Sequence, residues 1–131
     1  MLESEKGVCK PRHGKCQGLH KCFLLPEGLA IFERFIHANK INHFVTEDGV
    51  GPPIILLHGW PQTSHAWRKI IPELARHYRV IAPDLRGLGK SDKPEGPYDM
   101  RTIATDIRAL MEVLDIKSPY IIGHDWGALV A

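Results

Sequence analysis

The chain has 131 residues, a net charge of +2 at pH 7 and 44% hydrophobic residues, which is the size and composition of one ordinary globular domain. No apolar run approaches the roughly 18 residues that a membrane-spanning helix needs. The stretch CFLLPEGLAIF near the start is too short and too interrupted for a secretory signal. These features exclude a membrane-spanning protein and predict a cytoplasmic one.

Residues 1–26 differ in character from the rest of the chain. Residues 1–22 carry five Lys or Arg against two Glu, which gives a charge of +3 there and −1 over the remainder. Three cysteines and two histidines lie in this segment: Cys9, Cys16, Cys22, His13 and His20. The odd cysteine count argues against a disulfide framework, and the spacing matches no common tetrahedral zinc pattern. We therefore expect a basic, disordered tail over residues 1–26 that binds neither metal nor nucleic acid, since only Phe23 is available to stack on bases.

From residue 27 onward, short apolar runs alternate with turn residues. Residues 31–37 and 41–46 predict an antiparallel pair of strands joined across Asn39 and Lys40. Residues 54–57 form a continuous aliphatic run between a proline and a His-Gly pair, which is typical of a strand buried on both faces of a parallel sheet.

The second half of the chain alternates helices and strands. Apolar residues at helical spacing predict one crossover helix over residues 65–77, with Pro72 tolerated in a first turn. A strand over 78–83 and a Gly/Pro-rich loop follow. Asp99 is a candidate cap for a helix whose apolar stripe is opposite its charged residues: Arg101, Asp106, Arg108 and Glu112. A strand over 120–123 precedes a helix from residue 126. Residues 27–131 therefore predict an α/β fold, with a mostly parallel sheet and crossover helices.

The loop sequence GLGKSD at residues 87–92 is similar to phosphate-binding motifs, but the match fails. A P-loop needs a glycine five residues before the Gly89-Lys90-Ser91 triplet, and Asp84 stands there with a charge that repels phosphate. A dinucleotide fingerprint needs a small residue and a helix start at Asp92, which is followed by Lys-Pro. We therefore predict no cofactor.

The sequence GHDWG at residues 123–127 predicts a sharp turn from a strand into a helix. Gly123 and Gly127 stand two residues on either side of Asp125, and small residues there let the turn close tightly while the central side chain is displayed at the carboxyl edge of the sheet. Asp125 is ionised at neutral pH without the help of a base. It is our candidate nucleophile, since a carboxylate displaces a leaving group from a saturated carbon and forms an ester.

Hydrolysis of that ester develops an oxyanion on the aspartate itself, so backbone donors are needed. In elbows of this kind one donor is the N–H after the nucleophile, here Trp126, and the second comes from the loop after an earlier strand, here HGWP with Trp60. Each donor lowers the barrier by roughly 2.7–4 kcal/mol. Pro61 fixes the backbone beside Trp60, with a cis peptide bond as one option. A Gly-x-Asp-x-Gly turn alone is common and usually only structural; its pairing with residues 58–61 favours function.

The stretch HGWPQTSHAWRKIIPELARHYRVIAPDLRGLGKSDKP, followed by GHDWG, resembles the α/β-hydrolase fold family in the branch of epoxide hydrolases and haloalkane dehalogenases. The resemblance covers residues 32–131. It implies that Asp125 is the nucleophile, that the Trp60 and Trp126 amides form the oxyanion hole, and that Trp126 and Pro61 contact a small-molecule substrate. It also implies that His58, Asp84, Arg86 and Gly87 shape loops without acting in catalysis.

Three branches of this family use an aspartate. Fluoroacetate-type dehalogenases carry arginines one and four positions after it, where this chain has Trp126 and Leu129. Haloalkane dehalogenases bind halide with the tryptophan after the nucleophile and often with an asparagine where this chain has Trp60. Epoxide hydrolases resemble both of its motifs, so an epoxide is the favoured substrate and a haloalkane the alternative.

In this family the catalytic acid, the histidine and two lid tyrosines follow the elbow. We therefore expect an N-terminal half of the fold, truncated just after the elbow and unable to turn over. The exact substrate and the oligomeric state stay open. A non-catalytic module whose tail binds metal or a partner is the competing hypothesis.

Overall fold

The computed structural model describes residues 21–24 and 30–131. Six strands form one sheet in the order β1-β2-β3-β5-β4-β6. The strands are β1 Lys21–Leu24, β2 Ala30–Ala38, β3 Ile41–Asp48, β4 Pro53–Leu57, β5 Arg79–Pro83 and β6 Tyr120–Gly123. The helices are a 3₁₀ helix at Ser64–Trp67, α1 Ile71–Leu74, α2 Met100–Val113 and α3 Trp126–Val130. None of the helices in the described residues is long and apolar enough to span a bilayer.

Strands β2 and β3 form the predicted antiparallel hairpin, with Ala38 opposite Ile41. Its two turn residues, Asn39 and Lys40, both have positive φ, at 47° and 66°. A two-residue turn of this kind matches the twist of the flanking strands. The local pattern alone therefore predicted this hairpin correctly.

Strand β1 corrects the expectation of a disordered tail at four residues. Residues 21–24 pair antiparallel with residues 30–33 of β2. The outer edge of β2 offers unpaired backbone groups, and an extended segment that joins it satisfies its own backbone groups as well. The rest of residues 1–26, including Cys9 and Cys16, lies outside the described residues, and the boundary at residue 26 stays a prediction.

The parallel half of the sheet carries the candidate site. Strand β4 pairs in parallel with β5 on one side and with β6 on the other, whereas β3 meets β5 antiparallel. Along β4, Ile54 and Leu56 face one core while Ile55 and Leu57 face another, and all four are nearly inaccessible. The predicted two-faced burial of this strand is confirmed, and the sheet is mixed, with its parallel part confined to β5-β4-β6.

The connection from β4 to β5 differs from the predicted helix over residues 65–77. It consists of the 3₁₀ helix Ser64–Trp67 and the single turn α1, with Pro72 in the first turn of α1. Proline lacks the N–H that would continue a helix, and its ring collides with the carbonyl four residues earlier. Pro72 therefore starts a new short helix and cannot lie inside a longer one.

Helix α2 confirms the predicted helix after Asp99, whose side chain accepts a hydrogen bond from the Thr102 N–H. One residue was misassigned. Asp106, expected on the outer charged face, is fully buried with Ile103, Ile107 and Leu110. Positions 103, 106, 107 and 110 lie on one helical face, so the spacing itself indicated the burial of Asp106.

Candidate functional site

The turn at GHDWG is built from close backbone contacts. Asp125 adopts φ 53° and ψ −118°, a backbone conformation that residues other than glycine rarely adopt, that costs free energy and that persists only where the surroundings enforce it. A Cβ on Gly127 would lie 2.0 Å from the Leu57 carbonyl oxygen, and one on Gly123 would lie 2.3 Å from the Gly127 oxygen. The two glycines therefore let β6, α3 and β4 approach closely enough to hold Asp125 in its strained conformation, as the sequence predicted.

The Asp125 carboxylate meets the loop that follows β4. The Trp60 backbone N–H donates a hydrogen bond to Asp125 Oδ1 over 2.8 Å. The backbone amides of Trp60, with the larger effect, and of Trp126 lower the pKa of Asp125 below its ordinary value, because hydrogen bonds to a carboxylate favour its charged form. The structure thus brings together the three residues that the sequence singled out, and Asp125 is ionised and exposed.

A tight turn over residues 59–62 presents the Trp60 amide. The Gln62 N–H donates to the Gly59 carbonyl oxygen over 2.9 Å, and the Gly59 N–H donates to Gln62 Oε1 over 3.2 Å. The Trp60–Pro61 peptide bond is cis, as considered from the sequence. Gln62 is a residue whose part in this loop the sequence analysis missed, since no motif distinguishes a glutamine that bonds its own turn.

His58 lies beneath this turn and is fully buried. Its Nδ1 lies 2.8 Å from the Gly59 carbonyl oxygen, and its Nε2 accepts a hydrogen bond from the Leu85 N–H over 2.9 Å. Burial lowers the pKa of His58, with the Gly59 hydrogen bond and the charge of Asp84 opposing the shift. The ring is therefore neutral at neutral pH, with Nδ1 facing the loop after β4 and Nε2 accepting from the loop after β5.

The loop after β5 is held by two buried acidic side chains. Asp84 accepts hydrogen bonds from the backbone N–H groups of Ser64 and Lys90, over 2.7 and 2.8 Å. Arg86 donates to both oxygens of Asp106, over 2.6 and 2.7 Å. Asp84 and Arg86 therefore tie the loop to its neighbours, as expected from the resemblance.

The aromatic surroundings of Asp125 come from the same two loops. The rings of Trp60 and Trp126 have centroids 6.2 Å apart with planes at 33°, and Trp60 is 59% exposed. Pro61, also a predicted substrate contact, is exposed beside Trp60. Across residues 21–24 and 30–131, no group of three or more His, Cys, Asp or Glu side chains could hold a metal ion.

Comparison with known proteins finds a matching family and several similar proteins. A family model described as the alpha/beta hydrolase fold matches residues 52–131. A soluble epoxide hydrolase from Corynebacterium sp. (strain C12) is 55% identical over 99 residues, which cover 72% of this chain and 34% of that protein. A fluoroacetate dehalogenase from Burkholderia sp. is 44% identical over 99 residues, with 72% and 33% covered.

The chain is also similar to solved structures. The crystal structure of the epoxide hydrolase VrEH1 from Vigna radiata superposes with a TM-score of 0.74 at 40% identity, covering 76% of this chain and 33% of that one. The chain thus spans about a third of the length of the relatives that it matches.

Proposed function

The chain belongs to the α/β-hydrolase fold family, and from that premise we propose that it carries the nucleophile and the oxyanion hole of an epoxide-opening hydrolase. The single observation that carries the proposal is the hydrogen bond from the Trp60 N–H to Asp125 Oδ1, which joins the two motifs at one point. The names of several relatives, such as the Corynebacterium soluble epoxide hydrolase, support an epoxide as the substrate class.

The first step follows from the state of the carboxylate. With Oδ1 held by the Trp60 N–H, the other oxygen of Asp125 attacks an epoxide carbon. A bond forms between that oxygen and the carbon, the ring C–O bond breaks, and the freed alkoxide takes a proton from water or a nearby acid. The product of this step is an ester between Asp125 and the opened epoxide.

The second step releases a diol when water attacks the Asp125 carboxyl carbon. The oxyanion that develops at Oδ1 is then stabilised by the amides of Trp60 and Trp126. In the family a histidine later in the chain activates this water, and no histidine follows Asp125 in this sequence. We therefore expect the 131-residue chain to accumulate the ester without steady diol release.

A haloalkane is the second candidate substrate. The indole rings of Trp60 and Trp126 have centroids 6.2 Å apart, and the Burkholderia fluoroacetate dehalogenase is among the relatives. Trp60 replaces the asparagine that haloalkane dehalogenases often place before the proline, so only half of that halide site is present. The epoxide is therefore favoured.

The test is covalent trapping of the purified chain with styrene oxide and, separately, with 1-bromohexane. We expect mass spectrometry of proteolytic peptides to place one adduct on Asp125, formed faster with the epoxide. The Asp125→Asn variant should lose it, whereas Asp115→Asn, which changes an exposed aspartate after α2, should retain it. An adduct elsewhere, or one that persists in Asp125→Asn, would contradict the nucleophile; faster reaction with the bromide would favour the haloalkane.

A further inference from the structure

The Gly59–Trp60 peptide group has one polar end at Asp125 and the other at His58. The Trp60 N–H donates to Asp125 Oδ1, while the Gly59 carbonyl oxygen lies 2.8 Å from His58 Nδ1. In a planar trans peptide the N–H and C=O groups point in opposite directions. Whatever fixes the carbonyl therefore also aims the N–H.

Glycine at position 59 is required and leaves this peptide group weakly constrained. A Cβ on Gly59 would lie 2.6 Å from Asp125 Cβ, so no larger residue fits. Glycine, however, permits backbone rotations that other residues forbid. Contacts from outside the peptide group must therefore hold its orientation, and two are present: His58 Nδ1 and the Gln62 N–H both reach the Gly59 oxygen.

The protonation of His58 is set by a different loop. The Leu85 N–H can only donate, so His58 Nε2, 2.9 Å away, must accept. The proton of the neutral ring is then on Nδ1, which is the atom that faces the Gly59 oxygen. A peptide N–H in the loop after β5 thus selects the tautomer that can clamp the peptide group after β4.

We propose that His58 is a positioning residue, which acts through its Nδ1–H to hold the Gly59 carbonyl and so aim the Trp60 N–H at Asp125. The inference rests on the proposed function, because the direction of the Trp60 N–H affects the reaction only if Asp125 is the nucleophile. It gives His58 a specific role that differs from filling space under the loop.

Two substitutions of His58 separate this role from general support of the fold. An asparagine amide reaches the position of Nδ1 and can donate to the Gly59 oxygen, whereas a glutamine reaches the position of Nε2 and can accept from Leu85. Each of His58→Asn and His58→Gln therefore keeps one of the two hydrogen bonds. A merely structural role predicts that the two variants behave alike.

The readout is the Asp125 carboxyl, followed by NMR titration of the full chain. We expect His58→Gln to raise the pKa of Asp125 toward its ordinary value and to lengthen the lifetime of the styrene oxide ester at least tenfold. His58→Asn should restore both toward wild type. Equal effects of the two variants, or no effect of either, would overturn the proposal, while an adduct on another residue in the wild-type chain would overturn the proposed function instead.

A measurement on the unaltered chain covers the case in which both variants fail to fold. The ¹⁵N shifts of the His58 ring should show a protonated Nδ1 and an unprotonated Nε2 at neutral pH. A proton on Nε2, or on both nitrogens, would overturn the proposal.

Discussion

Single side chains in this protein owe their state to neighbours that are distant in the sequence. The pKa of Asp125 is lowered chiefly by an amide 65 positions earlier, and the pKa of His58 is lowered by burial. His43 also depends on its surroundings, because burial lowers its pKa while the charge of Asp106 and the backbone of Ala38 oppose the shift. It is fully buried on β3, and neither of its ring nitrogens has a hydrogen-bond partner among the described residues. Such a group costs free energy on folding.

We predict that replacing His43 with leucine stabilises the protein. Burial lowers the pKa of His43, against the opposing charge of Asp106, so the unfolded chain takes up a proton first as the pH falls. The free energy of unfolding is therefore unaffected by this titration above the ordinary histidine pKa of about 6.5. It decreases as the pH falls from there through the lowered folded-state value. His43→Leu should add about 1 kcal/mol at pH 7 by removing two unpaired polar atoms.

Urea unfolding at a series of pH values checks this prediction. His43→Leu should lose less stability than the wild type between pH 7 and 5, with His58 responsible for part of the remaining loss. The control is His77→Leu at an exposed position, which removes no buried polar atom and should therefore leave the free energy of unfolding at pH 7 unchanged. An equal loss in His43→Leu and the wild type would contradict the argument.

Helix α2 is joined to the rest of the fold by a buried ion pair as well as by its apolar stripe. Asp106 receives two hydrogen bonds from Arg86, in the loop after β5, and one of 2.7 Å from Asn39 in the β2–β3 turn. Three separate elements thus meet at one carboxylate that has no exposed surface. These hydrogen bonds tie α2 to the loop after β5 and to the β2–β3 turn.

We therefore expect Asp106→Ala to reduce the free energy of unfolding by about 3–5 kcal/mol, since it leaves a buried guanidinium without its partner. The matched control is the exposed pair of Arg108 and Glu112 on the same helix, 3.3 Å apart. Arg108→Ala should cost less than about 0.5 kcal/mol. Thermal or urea unfolding measures both, and similar losses in the two variants would show that the buried pair adds nothing specific.

At the scale of the whole sheet, the edge formed by β6 exposes apolar side chains. Among the described strands β6 has a single neighbour, β4. Its side chains are uncovered: Tyr120, Ile121 and Ile122 are 62%, 39% and 42% exposed. Leu129 of α3 is 70% exposed. An open apolar edge is a template for pairing with another strand.

We predict that the 131-residue chain associates with itself through β6, and that Ile121→Lys weakens the association by placing a charge on the edge. Val50→Lys is the control, because Val50 is an exposed apolar residue in the loop between β3 and β4. Sedimentation velocity over a range of concentrations should show a smaller associated fraction for Ile121→Lys only. A monomeric wild-type chain would contradict the prediction.

Local patterns were enough to locate most elements and the elbow. Four consecutive aliphatic residues mark β4, the helical spacing after Asp99 marks α2, and the glycines around Asp125 mark the turn. Each of these signals reflects burial or backbone geometry within a few neighbouring residues, so it is visible in the chain alone. The break at Pro72 and the burial of Asp106 were also present in local spacing but were misread.

Other features arise only when distant segments meet. Strand β1 exists because β2 has a free edge; Arg86 and Asp106 pair because α2 lies over the loop after β5; and the Leu85 N–H selects the tautomer of His58. None of these contacts leaves a periodicity in the chain, since hydrogen bonds and ion pairs between remote residues depend on the packed arrangement. The pattern of residues indicated Asp125 and the amides of Trp60 and Trp126, whereas only the packing decided which remote contacts hold their loops in place.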